Sequence, residues 1–210
     1  MISQAIISEY HKLTDEIVQL KIRPEDHQFS WLAGQWIDFS CVVEGHEQVA
    51  GYSICSAAGS GSFEILVRRS RHPVSSWLHN ADRSANSVLI QGGSGDCVYH
   101  PEQHKEIVCI AGGIGITPLI SMLRTARQHQ RKASLYHSVK KRDELLFAQE
   151  FSDGHYFVTS EDQRLDFAKI AREHGMYAHY FLCGPRSLID EASKQLDLLG
   201  VLNVHYERWW

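Results

Sequence analysis

Ile107-Val108-Cys109-Ile110-Ala111-Gly112-Gly113-Ile114-Gly115-Ile116-Thr117-Pro118 is the stretch that decides how this chain folds. Its first five residues form an apolar run of the kind found in strands buried on both faces. Three glycines follow, and Leu119 to Gln128 then carries apolar residues at helical spacing. Glycines let the backbone turn tightly and come close to a phosphate. Thr117 is expected to cap the helix, with Pro118 as its first residue. A helix opening at the carboxyl end of a parallel strand offers unpaired N–H groups and a partial positive charge to an anion. The segment therefore reads as a pyrophosphate cradle. Its spacing is not GxGxxG, so it is not the usual dinucleotide fingerprint, and a plain glycine-rich turn is the competing reading.

The alternation continues downstream. Ser134–Ser138, Tyr156–Thr159, His179–Cys183 and Val204–Glu207 read as short strands, with helices expected near Asp143–Glu150, near Asp166–Glu173 and from Pro185 to about Leu199. With the first run, five strands alternating with helices predict a parallel sheet covered on both faces. Upstream the period changes. Ile17–Ile22, Gln35–Val42 and Ser62–Val67 are short, β-branched or aromatic and partly alternating, and Gly34, Gly45, Gly59 and Gly61 punctuate them. This half predicts an antiparallel β-barrel with one short helix inserted at Pro73–Asn80. The polar stretch Pro101–Lys105 separates the patterns. The expected domains are a barrel over 1–102 and an α/β domain over 103–210.

Composition narrows the function. The 210 residues carry a net charge of −4, which recommends neither nucleic acid nor an anionic membrane as partner. The longest apolar runs fall well short of the ~20 residues that span a bilayer, so no membrane span is expected. The residues after Met1 lack the basic and apolar regions of a signal peptide. Cys41, Cys55, Cys97, Cys109 and Cys183 are odd in number and contain no CxxC pair. That argues against a disulfide framework or an iron–sulfur cluster and for a reducing, cytoplasmic setting. His100 and His104 stand four apart without an HExxH core or cysteine partners, and no metal is expected. No GxSxG elbow or Walker lysine supports a hydrolase or phosphotransferase.

Several short motifs occur together in one order: Gly51-Tyr52-Ser53, Val74-Ser75-Ser76-Trp77-Leu78, Gly112 to Pro118, Cys183-Gly184-Pro185 and Glu207-Arg208-Trp209-Trp210. That order resembles the ferredoxin–NADP⁺ reductase-like flavoprotein superfamily, over nearly the whole chain. The nearest likeness is to oxidoreductase NAD-binding domain-containing proteins, which share the tryptophan-rich end. The resemblance implies a flavin-binding barrel followed by a nicotinamide-nucleotide domain, with FAD (FMN the alternative) and NAD(H) or NADP(H) as cofactors. It implies that Tyr52 packs on the flavin ring and that Ser53 hydrogen-bonds near the nitrogen that accepts hydride. Gly112, Gly113, Gly115, Thr117 and Pro118 would cradle the nucleotide. Cys183, with Gly184 and Pro185, would lie beside the nicotinamide, Glu207 would relay a proton or orient the site, and Trp209 would cover the flavin face opposite Tyr52.

The chain departs from the family pattern in two places. Ala50 stands where the Arg-x-Tyr-Ser motif has the arginine that grips the flavin phosphate, which removes a bidentate charge-assisted contact. The Gly-x-x-Ser motif reads His72-Pro73-Val74-Ser75. Ser75, with Ser76 beside it, is still expected to cap a helix facing phosphate. Arg68, Arg69, Arg71 and His72 could replace the lost charge or form a solvated basic strand end. NADP-using relatives often place Ser-Arg after the third strand of the second domain. Here Thr159-Ser160 is followed by Glu161 and Asp162, which favours NADH, while Arg164 keeps NADPH open. The expected activity is NAD(P)H-dependent reduction of a bound flavin, with electrons passed to a separate acceptor protein or small molecule. Free flavin as a substrate, and a nucleotide-binding or redox-sensing module without turnover, are the alternatives.

Overall fold

The structure, a computed structural model, describes residues 2–207. The chain divides into two compact units between Val98 and Tyr99.

The first unit is built from β1 (Ile2–Lys12), β2 (Ile17–Pro24), β3 (Ser30–Trp31), β4 (Trp36–Val43), β5 (His46–Ser53), β6 (Gly59–Ser60), β7 (Phe63–Arg68), α1 (Pro73–Asn80) and β8 (Ser87–Ser94). Six strands form one antiparallel sheet in the order β5-β4-β8-β1-β2-β7. Its two edges meet just past β5. Ile54 bridges Ile65, and the Cys55 N–H donates to the Glu64 carbonyl over 2.8 Å. The sheet thus curls until its edge groups find partners, which is how a small antiparallel sheet avoids an open edge. Alternate residues point inward. Ile7, Leu20, Ile22, Ile37, Phe39, Phe63, Ile65 and Ile90 fill the interior. Phe63 anchors one end, stacking on Phe29 at 5.5 Å and meeting Trp31 edge-on at 5.3 Å.

The expected short helix forms over Pro73–Asn80, where Pro73 presets the first turn. It packs on β4, β5 and β7. Its far end is tied down: Tyr10 Oη donates to the Leu78 carbonyl over 2.9 Å, and His79 Nε2 to the Val67 carbonyl over 3.1 Å.

The second unit holds β9 (Glu106–Gly112), α2 (Ile116–Gln128), β10 (Lys132–Val139), β11 (His155–Val158), α3 (Phe167–His174), β12 (His179–Cys183), α4 (Arg186–Leu198) and β13 (Asn203–Tyr206). All five strands are parallel, in the order β11-β10-β9-β12-β13. The helix α2 lies against β9, β10 and β12, while α3 and α4 pack together over Val108, Ile110, Tyr180 and Leu182. Covering both faces explains why Ile107 to Gly112 are all buried.

One expected helix is absent. From Asp143 to Glu150 the chain makes only a 3₁₀ turn at Arg142–Glu144 and then irregular turns. Side-chain anchors hold it there instead. Arg124 of α2 takes Glu150 bidentately with two bonds of 2.8 Å, and Phe147 and Phe151 are buried. Among the described residues, no helix is long and apolar enough to cross a membrane.

Candidate nucleotide-binding site

The strand order makes β9 and β12 the pair at which the chain's direction of travel across the sheet reverses. Open parallel sheets bind ligands beyond the carboxyl ends of such a pair. Gly112 ends β9 and Cys183 ends β12, and Ala111 and Cys183 are register partners. The two turns that leave these strands touch backbone to backbone. A Cβ on Gly115 would lie 2.6 Å from Gly184 N and 2.7 Å from the Cys183 carbonyl carbon and oxygen. A Cβ on Gly184 would meet Gly112 N at 2.8 Å, and one on Gly112 would meet Pro185 Cδ at 2.6 Å. Three glycines are thus required by packing between the turns. Gly113 differs: its φ is +55° and a Cβ there would meet nothing within 4 Å. It forms the open lip of the turn.

The chain leaves Gly112 in a 3₁₀ turn, Gly113–Gly115, that runs straight into α2. A second helix, α4, starts one residue after Pro185. Two helix N-termini therefore stand at the ends of adjacent strands. The Ile116 N–H donates back into the glycine turn and the Leu188 N–H to the Pro185 carbonyl, so the N–H groups without an intrahelical acceptor are those ahead of them. Thr117 is not the helix cap expected from sequence. The residue before α2 is Gly115, with no side-chain cap. Because the turn begins at Gly113, Thr117 falls in the second helical position and Pro118 in the third. Pro118 has no N–H to give to Ile114, and the Thr117 hydroxyl donates to that carbonyl instead, over 3.0 Å.

Sequence reasoning missed His137. It lies fully buried in β10, opposite Ala111, and its Nε2–H donates to the Gly113 carbonyl over 3.0 Å. Burial pushes its pKa down to about 4, so it is neutral, and a carbonyl acceptor fixes the proton on Nε2. Its Nδ1 is buried without a partner. His137 therefore braces the lip from beneath. The sequence carries no signal for it, because β10 mixes polar and apolar residues and its place beside the glycine turn depends on strand order.

Glu207 follows β13, whose Tyr206 pairs with Leu182, so the register sets it beside Cys183. Cys183 itself is buried. Trp209 lies outside the described residues. Ser160 is exposed in the 3₁₀ turn Thr159–Glu161 after β11, and its N–H donates to the Lys140 carbonyl. The acids there are not equivalent: Arg142 holds Glu161 bidentately, with bonds of 3.2 and 2.6 Å. Arg164 is turned back onto the Thr159 and Gln163 carbonyls.

In the first unit, Tyr52 and Ser53 end β5. Tyr52 shares the inward side with its partner Ile37, is half-buried, and meets Phe39 edge-on at 6.0 Å. Burial raises its phenol well above the ordinary value. Ala50 packs on the same apolar cluster. Ser75 is not a helix cap. His72 takes that place, its Nδ1 accepting the Val74 N–H, and Ser75 is buried. Its hydroxyl donates to the Arg68 carbonyl over 3.0 Å and accepts the Ser70 N–H over 2.9 Å, so it folds the loop before α1. Ser76 Oγ reaches the Ser70 carbonyl at 3.4 Å. Arg68 is half-buried, Arg71 is exposed, and Arg69 donates to the Asp15 carbonyl.

A glycine turn and a Cys-Gly-Pro turn interlock at the switch point of the parallel sheet, an arrangement suited to a nucleotide. Residues 109–194 match the oxidoreductase NAD-binding domain family. The zebrafish (Danio rerio) oxidoreductase NAD-binding domain-containing protein 1 is 29% identical over 98% of this chain and 89% of its own length. The flavohemoprotein of Bacillus subtilis is 28% identical over 96% of this chain, which spans 58% of that protein. Among solved structures, the flavohem-like FAD/NAD-binding domain of nitric oxide dioxygenase from Vibrio cholerae superposes with a TM-score of 0.85. That match has 24% identity over 99% of this chain and 98% of the other. The chain is thus similar to NAD-binding oxidoreductases over nearly its whole length, and it shares the fold of the ferredoxin–NADP⁺ reductase-like proteins.

Proposed function

We propose that this chain is an NAD(P)H-dependent flavoprotein reductase, with NADH the preferred donor, that passes electrons to a separate acceptor. The observation that carries the reading is the interlock of Gly112, Gly115 and Gly184, which leaves Gly113 alone facing open space. That opening, two helix N-termini and the absence of a side chain at position 113 suit a pyrophosphate. Nicotinamide supplies a hydride and flavin accepts it; positioning is the protein's part. The N–H groups of the Gly113–Gly115 turn bind the pyrophosphate, and His137 holds the turn's carbonyl so that these groups stay aimed outward. Cys183 lets the nicotinamide approach closely, and Glu207, which follows β13, orients the site or relays a proton. Tyr52 and Ser53 meet the flavin ring. Ser160 and Asp162 accept the ribose hydroxyls of NADH, with Glu161 keeping Arg142 from a 2′-phosphate.

The first unit fits the flavin ring better than the flavin phosphate. Ala50 is part of an apolar cluster, and the Ser75 hydroxyl is committed to Arg68 and Ser70. This favours a second reading, in which flavin binds as an exchangeable substrate. The visible spectrum of the purified chain, taken anaerobically before and after NADH, tests both. A flavin band that bleaches supports the bound-cofactor reading. A colourless protein that oxidises NADH only with added flavin supports the second. Nucleotide binding without turnover under any flavin supplement refutes both.

A further inference from the structure

Three histidines from distant stretches of the chain meet on one face of the parallel sheet. His104 belongs to the segment leading into β9, His179 opens β12, and His205 lies in β13. One ring nitrogen from each lies within 4.8 Å of the other two. We propose that His104, His179 and His205 bind a divalent cation of the zinc class, with a fourth coordination position left to water. This goes beyond the reductase reading and does not depend on it.

Strand pairing explains the convergence. His179 and Phe181 point to the same side of β12, and His205 is the register partner of Phe181. His205 stacks on Phe181 at 4.7 Å. The segment from Tyr99 folds over this face: Tyr99 meets Phe181 edge-on at 6.4 Å, and the His104 ring lies 4.4 Å from that of His179. His104 is 8% exposed, while His179 and His205 are half-buried, which leaves an ion a path from solvent. Burial lowers the pKa of all three, that of His104 to about 4. The rings are therefore neutral, the form in which imidazole ligates.

His179 Nδ1 and His205 Nε2 are 3.0 Å apart and share one hydrogen bond. Two nitrogens at ~2.0–2.1 Å from a tetrahedral zinc stand about 3.4 Å apart, so this pair is already near ligand spacing. The ion would replace the shared proton, which moves to the far nitrogen of its ring. His104 has further to go. Its Nδ1 accepts the His100 N–H over 3.2 Å. Ligation through Nε2 transfers the His104 proton to Nδ1 and gives up that bond. This cost sets the expected affinity in the micromolar range rather than that of a preorganised zinc centre. Imidazole donors suit zinc, nickel and cobalt over magnesium or calcium. The strand from His179 to Cys183 is about 13 Å long. The ion would therefore sit away from the glycine turn, as a staple joining the segment before β9 to β12 and β13.

The test uses the untagged full chain, stripped with chelator and titrated calorimetrically with zinc. One equivalent should bind with micromolar affinity. His179→Phe and His205→Gln should each weaken binding at least about 10-fold, the loss that even an outer-sphere partner costs. His129→Gln, on an exposed turn, should leave it unchanged. X-ray absorption of the zinc-loaded wild type should show three imidazoles, and this measurement stands even where a variant fails to fold. A sulfur-containing or all-oxygen shell, no saturable binding, or ligand variants that bind as wild type would each overturn the proposal.

Discussion

Substituting alanine at Gly113 and at Gly115 separates packing from ligand contact within one three-residue turn. At Gly115 the backbone is ordinary, with φ −62° and ψ −4°, so conformation costs nothing. The added Cβ would nevertheless stand 2.6 Å from Gly184 N and 2.7 Å from the Cys183 carbonyl carbon and oxygen. These are backbone atoms at a strand end, and they cannot swing aside as a side chain would. Reaching ordinary contact requires about 0.7 Å of separation between the two turns. Overpacking on this scale costs typically ~1–3 kcal/mol, at the upper end where backbone must move. At Gly113 the opposite holds. The Cβ meets nothing, and φ +55° costs a non-glycine residue roughly 1–2 kcal/mol. Urea denaturation should therefore rank the variants with Gly115→Ala the less stable. Nucleotide affinity, measured by NADH fluorescence titration on folded protein, should fall on the order of 10-fold in Gly113→Ala, because its methyl occupies the space assigned to pyrophosphate. Undiminished NADH affinity in Gly113→Ala would refute the cradle, and wild-type stability in Gly115→Ala would refute the interlock.

Three further outcomes are expected. His137 has a folded pKa of about 4 against an ordinary 6.5, so the unfolded chain binds the extra proton first as pH falls. Its contribution is complete above pH 6.5 and is lost towards pH 4, with a slope on the order of 1.4 kcal/mol per pH unit at most. His137→Gln keeps a donor for Gly113 but removes the titration, so urea curves from pH 7 to 4 should be flatter than wild type; parallel curves would contradict this role. Glu161→Gln releases Arg142 from its bidentate partner and should raise kcat/KM for NADPH several-fold with NADH little changed, as steady-state kinetics with both donors would show. Asp166 caps α3 by accepting the Lys169 N–H over 2.9 Å, and Asp166→Ala should cost about 1 kcal/mol in urea denaturation without altering NADH affinity.

The parallel sheet was legible because its strands are apolar runs that alternate with helix-spaced segments, a pattern that follows directly from burial on two faces. The inserted helix was legible because Pro73 announces its first turn. The segment 143–150 misled because its spacing suits a helix, whereas the Arg124–Glu150 pair and two buried phenylalanines, all tertiary contacts, hold it in turns. Thr117 and Ser75 misled in a common way. Both are good capping residues by type, and both were one or two positions inside the element. Their hydroxyls instead serve local carbonyls, and which carbonyl needs a donor depends on where the preceding turn begins. His137 and the His104–His179–His205 group were invisible because their members come together only across strands, and no spacing along the chain encodes strand order.

Ala50 shows how a motif can be missing for a positive reason. Its partner across the ladder is Phe39, which is fully buried, and the side chain faces the same apolar cluster that half-buries Tyr52. An arginine there would run its stem along that cluster and present its head at the rim. Alanine instead lets the cluster close up to Tyr52, and Ser75 is spent on the loop before α1. On the proposed reading, the first unit offers a surface for an aromatic ring and no arginine at position 50 for a phosphate. Ring stacking is tolerant of what the ring is attached to, whereas phosphate recognition fixes one cofactor in one place. Under the second reading, with flavin an exchangeable substrate, binding should be weak and reversible with little discrimination between FAD, FMN and riboflavin. Ala50→Arg should then tighten FAD and FMN while leaving riboflavin unchanged in flavin fluorescence titrations. Equal tightening of all three would show that the phosphate was never meant for this rim.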